Sequence, residues 1–414
     1  MKPIVKLLLI VGLFLNGSFA QAADSVEEAF KESKLYADVR LRYEFVDQQG
    51  PAPITENAHS RTARTRVGVK TGELLGLSAV VEGEHVVYLG NDNYNDTVNG
   101  RGDHPVVVDP ENIQVNQAYG QYKGIPDTTL RGGRQVIAID NQRFIGHVGW
   151  RQNNQVFDAA TITNASIENT NLQYGFIYNV NRIFGEQSLM GDWGSKSHFY
   201  HISNTSLPIG KVTTYGYLLD FGSDSAANSS KTFGGSLAGA KDLNDDVKLK
   251  YYIEYAYQTD YASNTAEYDA NYYHFAPAIV WKGLTTTIGY EILGSDGGRF
   301  AFRTPLATGH KFNGWADKFL TTPATGLEDF YIDLTYKVNN LEGNWEILNG
   351  LSAKAQYHNF AAEDGVMDYG DEWGIFLEKS INEHVKASVK YANYNADDFA
   401  TDTQKVTMDI GISF

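Results

Sequence analysis

The sequence predicts an all-β fold, a transmembrane antiparallel β-barrel of about eighteen strands, and three observations lead there. First, apolar and polar residues alternate strictly over long runs. In the first run Leu35, Ala37, Val39, Leu41, Tyr43 and Phe45 are apolar, with Asp38, Arg40, Arg42 and Glu44 between them. A period of two puts these sets on opposite faces of a strand. Second, the polar phase keeps its charges at mid-strand. Arg or Lys on a lipid face at the bilayer midplane costs about 2–4 kcal/mol, so that phase must face a lumen. Third, the chain carries 40 Gly and 26 Tyr with only 20% charged residues, a balance that suits a large β-structure showing aromatics to something other than water.

The first residues read as a targeting segment. Lys2 and Lys6 form a basic start, Leu7 to Leu15 an apolar run too short to stay in a bilayer, and Ser18 to Ala22 a small-residue end. Cleavage is expected after Ala22, with Ala20 the alternative site. Residues 1–22 are thus a signal peptide, 23–33 a periplasmic lead-in and 34–414 a single barrel domain in the outer membrane.

Strands are expected over 35–46, 60–70, 77–89, 114–123, 128–139, 155–165, 170–181, 196–206, 210–221, 231–241, 247–259, 270–282, 284–294, 327–338, 350–360, 371–380, 384–394 and 404–414. In the second, Ala63, Thr65, Val67 and Val69 oppose Arg64 and Arg66; in the eleventh, Leu249, Tyr251, Ile253 and Tyr255 oppose Lys248, Lys250 and Glu254. Tyr43, Phe45, Tyr257, Tyr290, Tyr336, Tyr391 and Phe414, near strand ends, are candidates for interfacial girdles. Connections alternate between short (123–127, 207–209, 242–246, 381–383) and long (47–59, 90–113, 140–154, 295–326), the pattern of periplasmic turns and outer loops. The linker 339–349 is long for a turn. The last strand ends on Phe414, as outer-membrane barrels read by the insertion machinery do.

Composition removes several function classes. With no Cys there is no disulfide framework, thiolate metal site or cysteine nucleophile. A mean hydropathy of −0.34 excludes a multi-span helical protein. A formal charge of −16 without a Lys/Arg-rich run argues against nucleic acid as a partner. The Asp-rich stretches (Asp92 to Asp96, Asp220 to Asp224, Asp368 to Glu372) match no full calcium loop, and His198 and His201 fall on opposite faces of a strand, so no metal or cofactor is assigned.

Function is expected from two sets of residues. Alternation turns Arg40, Arg42, Glu44, Arg64, Lys248, Lys250 and Glu254 into the lumen. Arg134, Arg143, Arg151 and Asp158 flank one long loop, and so many cations and amides point to a segment folded into the mouth, where it sets the sign of the field. The competing reading pairs these arginines with Glu44, Glu82, Glu84, Asp158 and Glu254 as braces, since bidentate geometry suits structural carboxylates as well as a solute's. Trp150 reads as a loop anchor rather than a stacking platform. A barrel-based enzyme would need a nucleophile–base pair such as Ser197 with His198 or His201 with Ser203, and strand alternation opposes it.

The motifs Arg40-Leu41-Arg42-Tyr43-Glu44, Ala63-Arg64-Thr65-Arg66, Asp109-Pro110, Asn116-Gln117-Ala118-Tyr119, Gly133-Arg134-Gln135, Asp140 to Gly146, Trp150-Arg151-Gln152-Asn153, Phe157-Asp158 and Asn179 to Arg182 resemble the alginate-export family of outer-membrane porins. The resemblance covers the first half of the mature chain motif by motif and the second half as barrel pattern. It implies an 18-stranded monomeric channel, set among outer-membrane lipid and lipopolysaccharide, with an arginine-rich constriction that passes an anionic oligo- or polysaccharide. Arg134, Arg143 and Arg151 carry over as cations facing uronate carboxylates, Asp158 as their counter-ion, and Arg66 and Arg182 as further contacts. The exporter's long periplasmic excursion late in the barrel has no counterpart, because 380–384 allow only a tight turn, so export and uptake both stay open.

Overall fold

Each alternating run forms a strand in the computed structural model, which describes residues 25–48, 50 and 52–414. The expected signal peptide, 1–22, lies outside the described residues. The strands are β1 (Lys34–Gln48), β2 (Ala58–Lys70), β3 (Leu77–Tyr88), β4 (Asn112–Ile125), β5 (Thr128–Gln135), β6 (Val156–Asn164), β7 (Thr170–Asn181), β8 (Asp192–Asn204) and β9 (Lys211–Leu219). There follow β10 (Ser230–Asp242), β11 (Val247–Asp260), β12 (Asp269–Phe275 and Ala278–Trp281), β13 (Leu284–Leu293), β14 (Leu327–Lys337), β15 (Ser352–Ala361), β16 (Asp368–Ser380), β17 (Val385–Asn395) and β18 (Thr403–Ser413). Each pairs antiparallel with the next, and β18 pairs back onto β1 from Asp38↔Ser413 to Gln48↔Thr403. That closure leaves no open sheet edge.

All eighteen expected strands are present. Pro277, lacking an N–H, splits β12 in two, yet Tyr252 still exchanges backbone bonds with Ala276 of 3.2 and 2.8 Å, so the wall is continuous there. β5 stops at Gln135 rather than running to 139, because Ile137 and Ile139 leave the wall and bury their side chains inside the barrel. The linker 339–349 contains a 3-10 turn, Gly343–Leu348, and the lead-in holds a short helix, α1 (Val26–Lys31), capped by Ser25.

Register fixes the two faces. Arg42 lies opposite Thr62 and Asp409, and Arg66 opposite Glu84, so the charged phase is internal. Leu41, Tyr257, Tyr290 and Tyr336 are among the exposed residues of the outward phase. Two long loops, 136–155 and 294–326, fold into the barrel and meet at Ile145 and Leu306. They are drawn in by apolar residues: Phe144, Ile145, Phe302, Leu306 and Phe319 join wall residues Tyr215, Tyr217, Tyr272 and Phe360 in one buried cluster. The wall behind this cluster is therefore lined by aromatics, and the charged rows lie on β1–β3 and β14–β18.

Candidate functional site

The charged part of the lumen is built where the two inward loops cross the rows of β1, β2, β17 and β18. Arg40 grips loop 136–155 by its backbone: Nη1 donates to the Gly149 carbonyl at 3.0 Å, Nη2 to that of Arg151, and Nε to Gln152 Oε1 at 3.0 Å. Arg66 adds a 3.3 Å bond to the Gln152 carbonyl and pairs with Glu84. Arg151 reaches back to the wall, 2.9 Å from Glu44 Oε2, with Asp109 at 3.7 Å and Asp317 at 3.8 Å. Arg42 binds Asp409 with two bonds of 2.8 and 3.2 Å, and Arg64 pairs with Asp38. Every one of these cations is less than a quarter exposed, and carboxylates or carbonyls hold them all in place.

Trp150 lies at the centre. His310 of loop 294–326 stacks on its ring at 3.5 Å, and the Arg151 guanidinium lies 4.0 Å from the ring centre. Groups this close cannot share one face, so both faces are covered and Trp150 is an anchor. Arg42, Lys390 and Lys405 surround the same ring at 5.5 to 5.9 Å, so four cations face one indole. His310 Nδ1 donates to Asp317 Oδ1 at 2.7 Å, and its Nε2 accepts from Lys390 Nζ at 2.7 Å. Burial holds the His310 imidazole down at about 3, against the opposing pull of Asp317. Burial alone would raise the Asp317 carboxyl, but His310, Lys405 and Arg151 together hold it well below the usual carboxylate range. A cavity of about 240 Å³ opens beside this cluster, lined by Gln142, His147, Gly149, Trp150, Thr308, His310, Lys311, Trp315 and Lys390.

The residues expected from the sequence divide. Arg40, Arg42, Glu44, Arg64, Arg66 and Arg151 come together as described. Arg143 is in the interior but is a brace: it contacts Glu291 at 2.8 Å and Asn313 at 3.0 Å, among Tyr272 and Phe312. Glu254 accepts from Tyr215 and Tyr252 in the aromatic wall, and Lys248 and Lys250 lie exposed near the short-turn end of β11. Arg134 and Asp158 correct the expectation. They pair with each other at 2.8 Å, but Arg134 lies opposite Ala118 on the outward face, because a bulge facing Glu82/Gly83 shifts the phase of β4 by one residue. Arg131, opposite the inward Gln121, is the lumenal arginine of β5. Arg182 is also outside the charged cluster: it lies in the loop after β7, stacked on Trp193 at 3.8 Å and Phe184 at 4.5 Å. Sequence reasoning missed Asp317, His310 and Trp315, which sit in a long loop with no periodicity, and Lys405, whose place in the polar phase of β18 was a usable signal. His198 faces outward to Tyr174 while Ser197 faces inward to Ser195, so the two form no pair. Among the described residues no three or more His, Asp or Glu side chains are grouped so as to hold a metal ion.

A family model described as alginate export matches residues 32–294. No curated protein sequence matches. Solved structures similar in fold include OccAB2 and OccAB4 of Acinetobacter baumannii. OccAB2 shows 15% identity, a TM-score of 0.71, and coverage of 93% of this chain and 99% of its own. OccAB4 shows 13% identity, a TM-score of 0.72, and coverage of 92% and 98%. OpdK of Pseudomonas aeruginosa, solved with vanillate, shows 11% identity, a TM-score of 0.69, and coverage of 93% and 99%.

Proposed function

The chain belongs to the alginate export family of outer-membrane porins, and from that premise we propose that it conducts anionic saccharides, uronate oligomers among them, past the cationic cluster around Trp150. The four cations facing that indole, where the two inward loops meet, are the observation that carries the reading. A solute crossing the lumen passes within screening distance of them, about 8–10 Å at physiological salt, whatever the charge of the outer loops. Arg40, Arg42, Arg64, Arg66 and Arg151 then set the local field, with Lys390 and Lys405 beside them. On the same reading the chain acts as a channel rather than an enzyme. It is exported through the 1–22 signal peptide, inserts through its terminal Phe414 and works as a monomer among lipid and lipopolysaccharide.

The second reading is a braced porin without saccharide preference, favoured by the fact that each of those arginines already has a carboxylate or carbonyl partner. Direction is not built in: β16 and β17 are joined by a four-residue turn closed by Ile381 N–H on the Val385 carbonyl, and a passive pore runs both ways. Liposome swelling separates the readings. Proteoliposomes should swell faster in isotonic diglucuronate than in maltose; equal rates, or faster swelling in maltose, would leave only the braced porin.

A further inference from the structure

The cavity beside Trp150 differs from the arginine cluster in one respect: its two lysines have no carboxylate partner among the described residues. Lys390 Nζ has one hydrogen-bond partner among the described residues, the neutral His310 ring, and no carboxylate within 4.0 Å. The acids around it are engaged elsewhere. Asp317 is held by His310 and Lys405, Asp409 by Arg42, and Glu372 by the N–H groups of Trp315 and Ala316. Lys311, on the turn Gly309–Lys311, lines the same cavity, is exposed, and has no ion pair among the described residues. Two indoles share the remaining wall with the polar side chains of Gln142, His147 and Thr308, Trp315 lying 4.9 Å and Trp150 5.9 Å from Lys390 Nζ.

We infer that this cavity is a binding site for one carboxylated ring, a single uronate unit, and that Lys390 and Lys311 hold its carboxylate. The inference rests on the anionic-saccharide reading and narrows it. The arginines carry the field and hold the loops, whereas the two lysines contact the solute. Size sets the unit recognised: about 240 Å³ is the space of about eight waters at ~30 Å³ each, below the ~300 Å³ floor of drug-sized pockets, so an oligomer enters one ring at a time. Because both faces of Trp150 are covered, the ring meets that indole only at its edge, beside Trp315. A neutral hexose would fill the same space and leave both ammonium groups unpaired by a counter-charge, which makes the site discriminate by charge rather than by shape.

Single-channel recordings in planar bilayers test this with D-glucuronate and D-glucose as probes. Wild-type current should be blocked by glucuronate and not by glucose at equal concentration. Lys390→Met and Lys311→Met should each weaken the block at least tenfold, and Lys390→Arg should restore most of it. Block unchanged in both Met variants, or no glucuronate block in an anion-selective wild type, would overturn the site and leave the channel reading intact. A cation-selective wild type without block would overturn both. The Lys311 side chain is itself exposed, so Lys311→Met keeps the test available if Lys390→Met fails to fold.

Discussion

Arg134 and Arg151 were both expected at the constriction, and their surroundings give them opposite roles. Arg151 sits in the lumen against Glu44, whereas Arg134 sits on the outward face against Asp158. Arg134→Ala should therefore leave the reversal potential under a salt gradient unchanged, while Arg151→Ala should shift it toward cation selectivity, because Glu44 loses its closest arginine. Equal shifts in the two variants would refute this assignment. Arg143 acts on stability instead. Its side chain and that of Glu291 are both almost fully buried, so Arg143→Ala strands a carboxylate. Breaking a buried pair from one side costs about 3–5 kcal/mol, which should appear as a lower temperature for the gel-shift transition from folded to unfolded barrel. The outward fate of Arg134 was readable in part. Arg131 and Arg134 lie three apart on one strand, so only one can face in; which one depends on the bulge at Glu82/Gly83, and no alternation in β4 announces it.

Strands were legible because lipid and lumen are different solvents and the period of two records both. Even the break at Pro277 falls inside an expected strand rather than between two. The inward loops were legible only as clusters of polar residues. Their placement rests on contacts between distant segments, such as Ile145 with Leu306 and Trp150 with His310, and no local rule encodes these. Those contacts make loop 294–326 sensitive to acid. The His310 pKa is depressed from its ordinary 6.5 to about 3, so between these values the unfolded loop binds more protons than the docked one. Docking is fully favoured above about pH 6.5 and weakens as pH falls toward 3; the depressed Asp317 carboxyl adds a further loss below its ordinary 3.8. Protonation also places a second N–H against the Lys390 ammonium. Single-channel noise should therefore rise on acidifying from pH 7 to pH 4, and His310→Gln should remove the rise between pH 6.5 and 4. A flat noise profile in the wild type would mean that His310 does not hold the loop.

At the scale of the whole molecule, the barrel separates two electrostatic regions. The chain is acidic overall, at −16, yet one sector of its lumen gathers arginines and lysines from β1, β2, β17, β18 and both inward loops. In a screened solution the field at a point in the lumen comes from the local sector and not from the sum. Closure of β18 onto β1 is what brings Asp409, Arg42 and Lys405 together with Arg151, although they come from opposite ends of the chain. The central claim is thus a sign, that of the field in the lumen. The reversal potential of the refolded wild-type channel under a KCl gradient measures it most directly. The predicted result is preference for chloride, which falls when Arg151 is replaced by Ala. Preference for potassium would contradict it, and the arginines would then be braces in a porin that does not select acidic saccharides.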